Sequence, residues 1–136
     1  MALRAVLDTN VWVSALLWKG NPHKILLMAL DGDIKVITST DILDELERVL
    51  RLDKFNLDGE EIKGLLKVVY GVSEIVKISE SFDIEIKDEE DRIITDCALN
   101  GDAYLIVTGD KDLLNLDSVK DVKIVNPKGF LDLLSR

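Results

Sequence analysis

Short apolar runs bounded by turn residues alternate along this chain with longer stretches in which apolar side chains recur every three or four positions. The first pattern is that of strands buried on both faces, the second that of helices with one face against a core. Strands are expected at about Leu3 to Leu7, Lys35 to Thr38, Glu74 to Ile78, Ala103 to Val107 and Lys123 to Val125. Helices fill the gaps. The first begins near Asn10, and the second at Pro22, a residue suited to a helix's first turn, ending before Asp31, Gly32 and Asp33. The third starts near Ser39 to Asp41, where three side chains are able to cap it. A fourth, from about Asp58, carries Ile62, Leu65, Leu66 and Val69 at helical spacing, and a fifth runs from near Asp88 to a stop at Asn100 and Gly101. A short helical turn follows Asp110, and a last helix spans Pro127 to Leu134. The polar stretch from Glu80 to Glu90 is the most loop-like segment.

Strands alternating with helices predict an α/β fold, a three-layer α/β/α domain about a parallel five-stranded sheet. With no internal repeat and no linker rich in Pro, Gly or Ser, residues 1–136 are expected to form one domain. Two helices are apolar on too many sides. Val11 to Val13 with Ala15 to Trp18 cover most of one circumference, and Ile25 to Leu30 cover most of another. A helix packed only on its own sheet shows a stripe with a polar back, so either these two bury each other or they also supply an interface.

Composition narrows the chemistry. At 136 residues and 47% hydrophobic, the chain is long enough for one proper core. No apolar run approaches the roughly 18 residues of a membrane span, and the first residues read as a strand rather than a secretion signal, so a cytoplasmic protein without a membrane partner is expected. One cysteine, Cys97, excludes an internal disulfide and a multi-cysteine zinc site, and one histidine, His23, excludes sites built on several imidazoles. A net charge of −9 argues against a protein that coats nucleic acid electrostatically. It leaves room for a nucleic-acid enzyme, because carboxylates gathered around divalent cations look acidic only until the metal reverses the local sign.

Four acids stand where predicted strands end or helices begin: Asp8, Glu45, Asp91 and Asp110. Each has an ordinary structural role open to it: Asp8 and Asp110 as helix caps, Asp91 sharing a helix start with Asp88, Glu45 as solvated surface charge. Glu45 lies at one edge of the third helix's apolar stripe and Glu47 at the other, so spacing does not choose between them. Topology is what joins the four. If right-handed crossovers build a sheet ordered 3-2-1-4-5, strands one and four meet at the reversal point, and Asp8 and Asp110 flank one crevice. Helices three and five bring Glu45 and Asp91 to the same rim. Clustered carboxylates favour protonation or a bound cation, and oxygen-only ligands select Mg²⁺ or Mn²⁺. Such an ion binds a phosphodiester and activates water, the chemistry of nucleases and phosphatases.

These segments resemble the PIN-domain family, and more narrowly its small stand-alone toxin-antitoxin members. LDTNVWVSALL at Leu7 to Leu17 is similar to the family's opening motif, and TSTDILDELERVL at Thr38 to Leu50 to its strand and acidic helix. DEEDRIITDCAL at Asp88 to Leu99 resembles the third acidic motif and YLIVTGDKDLL at Tyr104 to Leu114 the fourth. The resemblance implies a PIN-like 3-2-1-4-5 sheet and a Mg²⁺- or Mn²⁺-dependent ribonuclease in which Asp8, Glu45, Asp91 and Asp110 hold metal. It further implies that Thr9, Asn10, Ser39 and Thr108 orient those acids or the attacking water, and that the chain forms a homodimer neutralised by a small antitoxin protein. Glu90 and Asp91 both fit the third motif, and Asp112 fits as a replacement or helper for Asp110. Leu113 and Leu114 stand where many relatives carry an aromatic residue. Two other functions remain open: a non-catalytic PIN scaffold that binds RNA or a protein, and a metal phosphatase. The second lacks a Gly-rich phosphate cradle and a DxD pair after the first strand.

Overall fold

The computed structural model describes residues 2–82, 86 and 88–135. Among them the strands are β1 (Leu3–Leu7), β2 (Ile34–Thr38), β3 (Ser73–Ile75), β4 (Leu105–Val107), β5 (Ser118–Val119) and β6 (Val122–Val125). The helices are α1 (Thr9–Leu17), α2 (Asn21–Leu30), α3 (Thr40–Leu50), α4 (Gly59–Val72), α5 (Glu89–Asn100), α6 (Lys111–Leu114) and α7 (Pro127–Leu134). The loop expected over Glu80 to Glu90 falls in part on residues 83–85 and 87, which lie outside the described residues.

Helix starts follow local chemistry. Ser39 caps α3 by accepting from the Ile42 amide, and Asp58 and Glu61 form a reciprocal capping box at α4. Asn126 caps α7 and is followed by Pro127 in the first turn.

The sheet is ordered β3-β2-β1-β4-β6-β5 and is parallel except at its edge, where β5 pairs antiparallel with β6. Its first five members are the expected 3-2-1-4-5 arrangement, with β6 as the predicted fifth strand and two-residue β5 as an addition. β1 and β4 are neighbours, with Leu7 opposite Val107, so the strand order reverses between them. The core centres on the fully buried Ala5, Val6 and Leu7 of β1, Ile106 and Val107 of β4, and Trp12, Ile42, Leu46 and Phe130 from the helices.

α1 packs on α2 and α3, and α2 packs on α7. This mutual packing buries Val11, Trp12, Val13, Ile25 and Leu26, yet Trp18, Leu27 and Leu30 stay exposed. Mutual burial therefore accounts for most, and not all, of the apolar excess on these helices. No helix among the described residues is long and apolar enough to cross a membrane.

At the end of the sheet away from the acids, Arg4 forks between the Gly101 carbonyl at 2.7 Å and Glu74 at 2.9 Å, joining β1, the end of α5 and β3. Gly101 is required there by space. A Cβ at that position would stand 2.6 Å from Ile37 Cγ2 and 3.0 Å from the Cys97 carbonyl.

Candidate metal centre

The carboxyl ends of β1 and β4 open into a small cavity of about 60 Å³ walled by Asp8, Glu45, Glu90, Asp91 and Asp110, with Thr9 and Asn10 beside them and Val49 and Ile93 as apolar wall. All four acids singled out from sequence line it. No lysine or arginine does, among the described residues.

Asp8 follows β1 directly, in extended conformation, and its backbone precedes α1. Its side chain makes no capping hydrogen bond to that helix. Instead Asp8 Oδ2 accepts from the Thr108 hydroxyl at 2.6 Å. The capping role open to Asp8 in the sequence is thus not the one it takes. Burial raises its pKa; the Thr108 hydrogen bond and the Thr9 amide oppose that rise, and the charge of Asp110 adds to it.

Thr108 is fully buried one residue past β4 and bridges the two strand ends: its Oγ1 donates to Asp8 and accepts from the Asp110 amide at 3.0 Å. Asp110 does cap a helix. Its Oδ1 accepts from the Asp112 amide at 2.9 Å at the start of α6.

Asp91 sits in the first turn of α5, but Asp88 is that helix's cap, accepting from the Glu90 amide at 2.9 Å. Asp91 is consequently free of capping and only 7% exposed. Burial first, then a hydrogen bond with Asp110 and the charges of Asp110, Asp88 and Asp8, push its pKa up to about 7. Carboxylate oxygens of Asp91, Asp110 and Asp112 lie within 4.8 Å of one another. Asp112 therefore joins Asp110 rather than replacing it.

Glu45 reaches the cavity rim from α3, where Arg48 holds it through contacts of 3.2 and 2.5 Å. Glu47 pairs with Arg51 and lies outside the cavity, which separates two residues that helical spacing left equivalent. Glu90 lines the cavity beside Asp91, so both acids of the third motif face it. Thr9 is buried and Asn10 exposed, both at the wall. Ser39 is different. It is buried as the α3 cap and is not part of the lining. Sequence reading missed Val49 and Ile93, although Val49 stands one turn after Glu45 on the same helix face.

The donor set suits a hard divalent cation: several carboxylates converge, one of them buried and resisting ionisation, and among the described residues only Glu45 of the lining acids is ion-paired, with Arg48. Asp91, Asp110 and Asp112 have the carboxylate spacing such an ion requires, and Asp8, Glu45 and Glu90 line the same cavity.

Comparison with known proteins adds independent observations. The family profile described as PIN domain matches residues 4–112. The fold is similar to that in the crystal structure of VapBC2 from Rickettsia felis bound to a DNA fragment from their promoter, with a TM-score of 0.66 and 19% sequence identity over 91% of this chain and 98% of that chain. No curated protein matches.

Proposed function

Because the chain belongs to the PIN-domain family, we propose that residues 1–136 form one nuclease domain, a Mg²⁺- or Mn²⁺-dependent endoribonuclease that serves as the toxin of a toxin-antitoxin pair in the cytoplasm. The observation that carries this reading is the convergence of Asp8, Glu45, Asp91 and Asp110 on one cavity at the sheet's reversal point.

A divalent ion bound there supplies charge for the phosphodiester oxygens and lowers the pKa of a water. The chain's own residues do the rest. Asp8, Asp91 and Asp110 would hold the ion, with Asp112 beside Asp110, and Thr108 fixes the Asp8 carboxylate and the Asp110 backbone relative to each other. Arg48 steadies Glu45 at the rim. Val49 and Ile93 keep bulk water from one side, which strengthens every charge interaction within the cavity. Thr9 and Asn10 offer polar groups to the strand, and Ser39 acts from beneath by setting the start of α3. Hydrolysis leaves 5′-phosphate and 3′-hydroxyl ends. The exposed Leu27 and Leu30 of α2 support a small antitoxin and a homodimer as partners.

Cleavage of a mixed single-stranded RNA with Mn²⁺, with EDTA, and by the Asp8→Asn variant tests the reading. Loss of cleavage in the last two is expected, and activity surviving both overturns it. Titration calorimetry that finds no Mn²⁺ binding but tight partner binding would favour a scaffold.

A further inference from the structure

Beside the acidic cavity lies a second, open cleft of about 450 Å³, lined by Asn10, Val13, Ser14, Trp18, Lys54 and Phe55. Asn10 belongs to both. The cleft is made by two segments distant in sequence. Trp18 ends α1 with its side chain 56% exposed, unusual for the largest apolar residue on a monomer's surface. Phe55 comes from a 3₁₀ turn at Asp53–Phe55, closed by Asn56 in left-handed conformation at φ 52°. The two rings stand 6.1 Å apart and tilted by 57°, and Lys54 Nζ lies 5.2 Å from the centre of the Phe55 ring. Trp18 is the exposed ring of the pair and Phe55 is half-buried behind it. An exposed aromatic face with a cation at hand is what a nucleobase and its phosphate require, since stacking is worth a similar amount for every base and the ammonium answers the backbone charge. In a chain of net charge −9, an aromatic cleft whose one charged lining residue is a lysine, and which shares Asn10 with the acidic cavity, is set apart from its surroundings. From Asn10 to Trp18 the helix rises about 12 Å, a reach of a few nucleotides.

We infer that the Trp18–Phe55 cleft is a stacking subsite for an unpaired base of single-stranded RNA, placing the strand a few nucleotides from the cavity where it is cut. The inference rests on the ribonuclease reading for its substrate, and binding alone tests it. Trp12 is fully buried and Trp18 exposed, so acrylamide quenching of tryptophan fluorescence reports Trp18. A single-stranded RNA decamer is expected to shield Trp18, and a blunt duplex of the same sequence to leave it accessible. Trp18→Ala and Phe55→Ala should weaken decamer binding about 5- to 50-fold, with Trp18→Phe recovering most of the loss. Lys54→Ala should reduce the salt dependence of binding by about one phosphate contact. Binding by Trp18→Ala equal to the parent overturns the inference, as does a bound decamer that leaves Trp18 accessible, or shielding by rising protein concentration without RNA. A decamer that shields Trp18 and is never cut leaves the subsite standing and removes the ribonuclease. One that is cut while Trp18 stays accessible does the reverse.

Discussion

Asp91→Asn should stabilise the metal-free protein above neutral pH, and the sign follows from where the carboxyl sits. In the fold its pKa stands at about 7 against an ordinary 3.8, so the native chain binds that proton more tightly than the unfolded chain. Stability therefore falls as pH rises between those two values and is flat below and above them. At about 1.4 kcal/mol per pH unit the window sets a ceiling of about 4 kcal/mol. Solvent at the cavity mouth screens the like charges and leaves about 1–2 kcal/mol. Against this, the variant gives up a favourable charge in the first turn of α5, about 0.3–1 kcal/mol. The net gain is about 1 kcal/mol, which for a domain of this length is a rise in Tm of about 4 °C. Thermal melts in EDTA at pH 5 and pH 8 should show a larger advantage for Asp91→Asn at pH 8. Adding Mn²⁺ at pH 8 should reverse the order, because only the parent gains a ligand. A variant less stable than the parent by the same amount at both pH values would refute the reasoning, and would make Asp91 a helix-start charge with no electrostatic penalty.

Asp8→Asn should abolish metal-dependent RNA cleavage while shifting Tm by less than about 3 °C, since its side chain caps no helix; a melt in which the variant is largely unfolded would count against this. Mn²⁺ at a hundred times its Kd should raise the parent's Tm by about 10 °C, from about 2.7 kcal/mol of binding linkage, and Asp8→Asn should lose most of that rise in the same scanning experiment. Thr108→Val removes both hydrogen bonds of the strand-end bridge and should cost about 1–3 kcal/mol in urea unfolding, with Thr108→Ser retaining them. Gly101→Ala forces a methyl onto Ile37 and should cost about 1–3 kcal/mol by the same method.

The strand order was legible because each central strand is a short apolar run closed by a turn residue, and right-handed crossovers leave few ways to lay such runs side by side. β3 was placed late in the sequence reading, at Glu74 to Ile78, because α4 runs through Gly71 to Val72 and passes into Ser73 without a break. β5 was invisible for another reason. It is two residues long, and the turn to β6 uses Lys120 at φ 52° rather than the glycine that announces a tight hairpin. At the site, sequence brought four acids to one rim but left a capping role open to Asp8, which the structure replaces with a hydrogen bond from the Thr108 hydroxyl a hundred residues away. It also left Glu45 equal to Glu47, until each found its own arginine and only one faced the cavity. Trp18 beside Phe55 carried no sequence signal, since neither residue's local pattern predicts a partner across α1 and a 3₁₀ turn.

The fork of Arg4 gives α5 a pivot. The helix is anchored at its far end, where Gly101 is wedged beneath Ile37 and its carbonyl is gripped by the guanidinium, while Asp91 rides near the opposite tip. Twelve residues make a lever of about 18 Å, so a tilt of only about 3° at the pivot swings the tip by about 1 Å. That displacement is enough to cost a hydrolytic centre about a hundredfold in rate. A small shift at Arg4 or Gly101 is thus magnified with distance along α5, and is largest where Asp91 meets the acidic cavity.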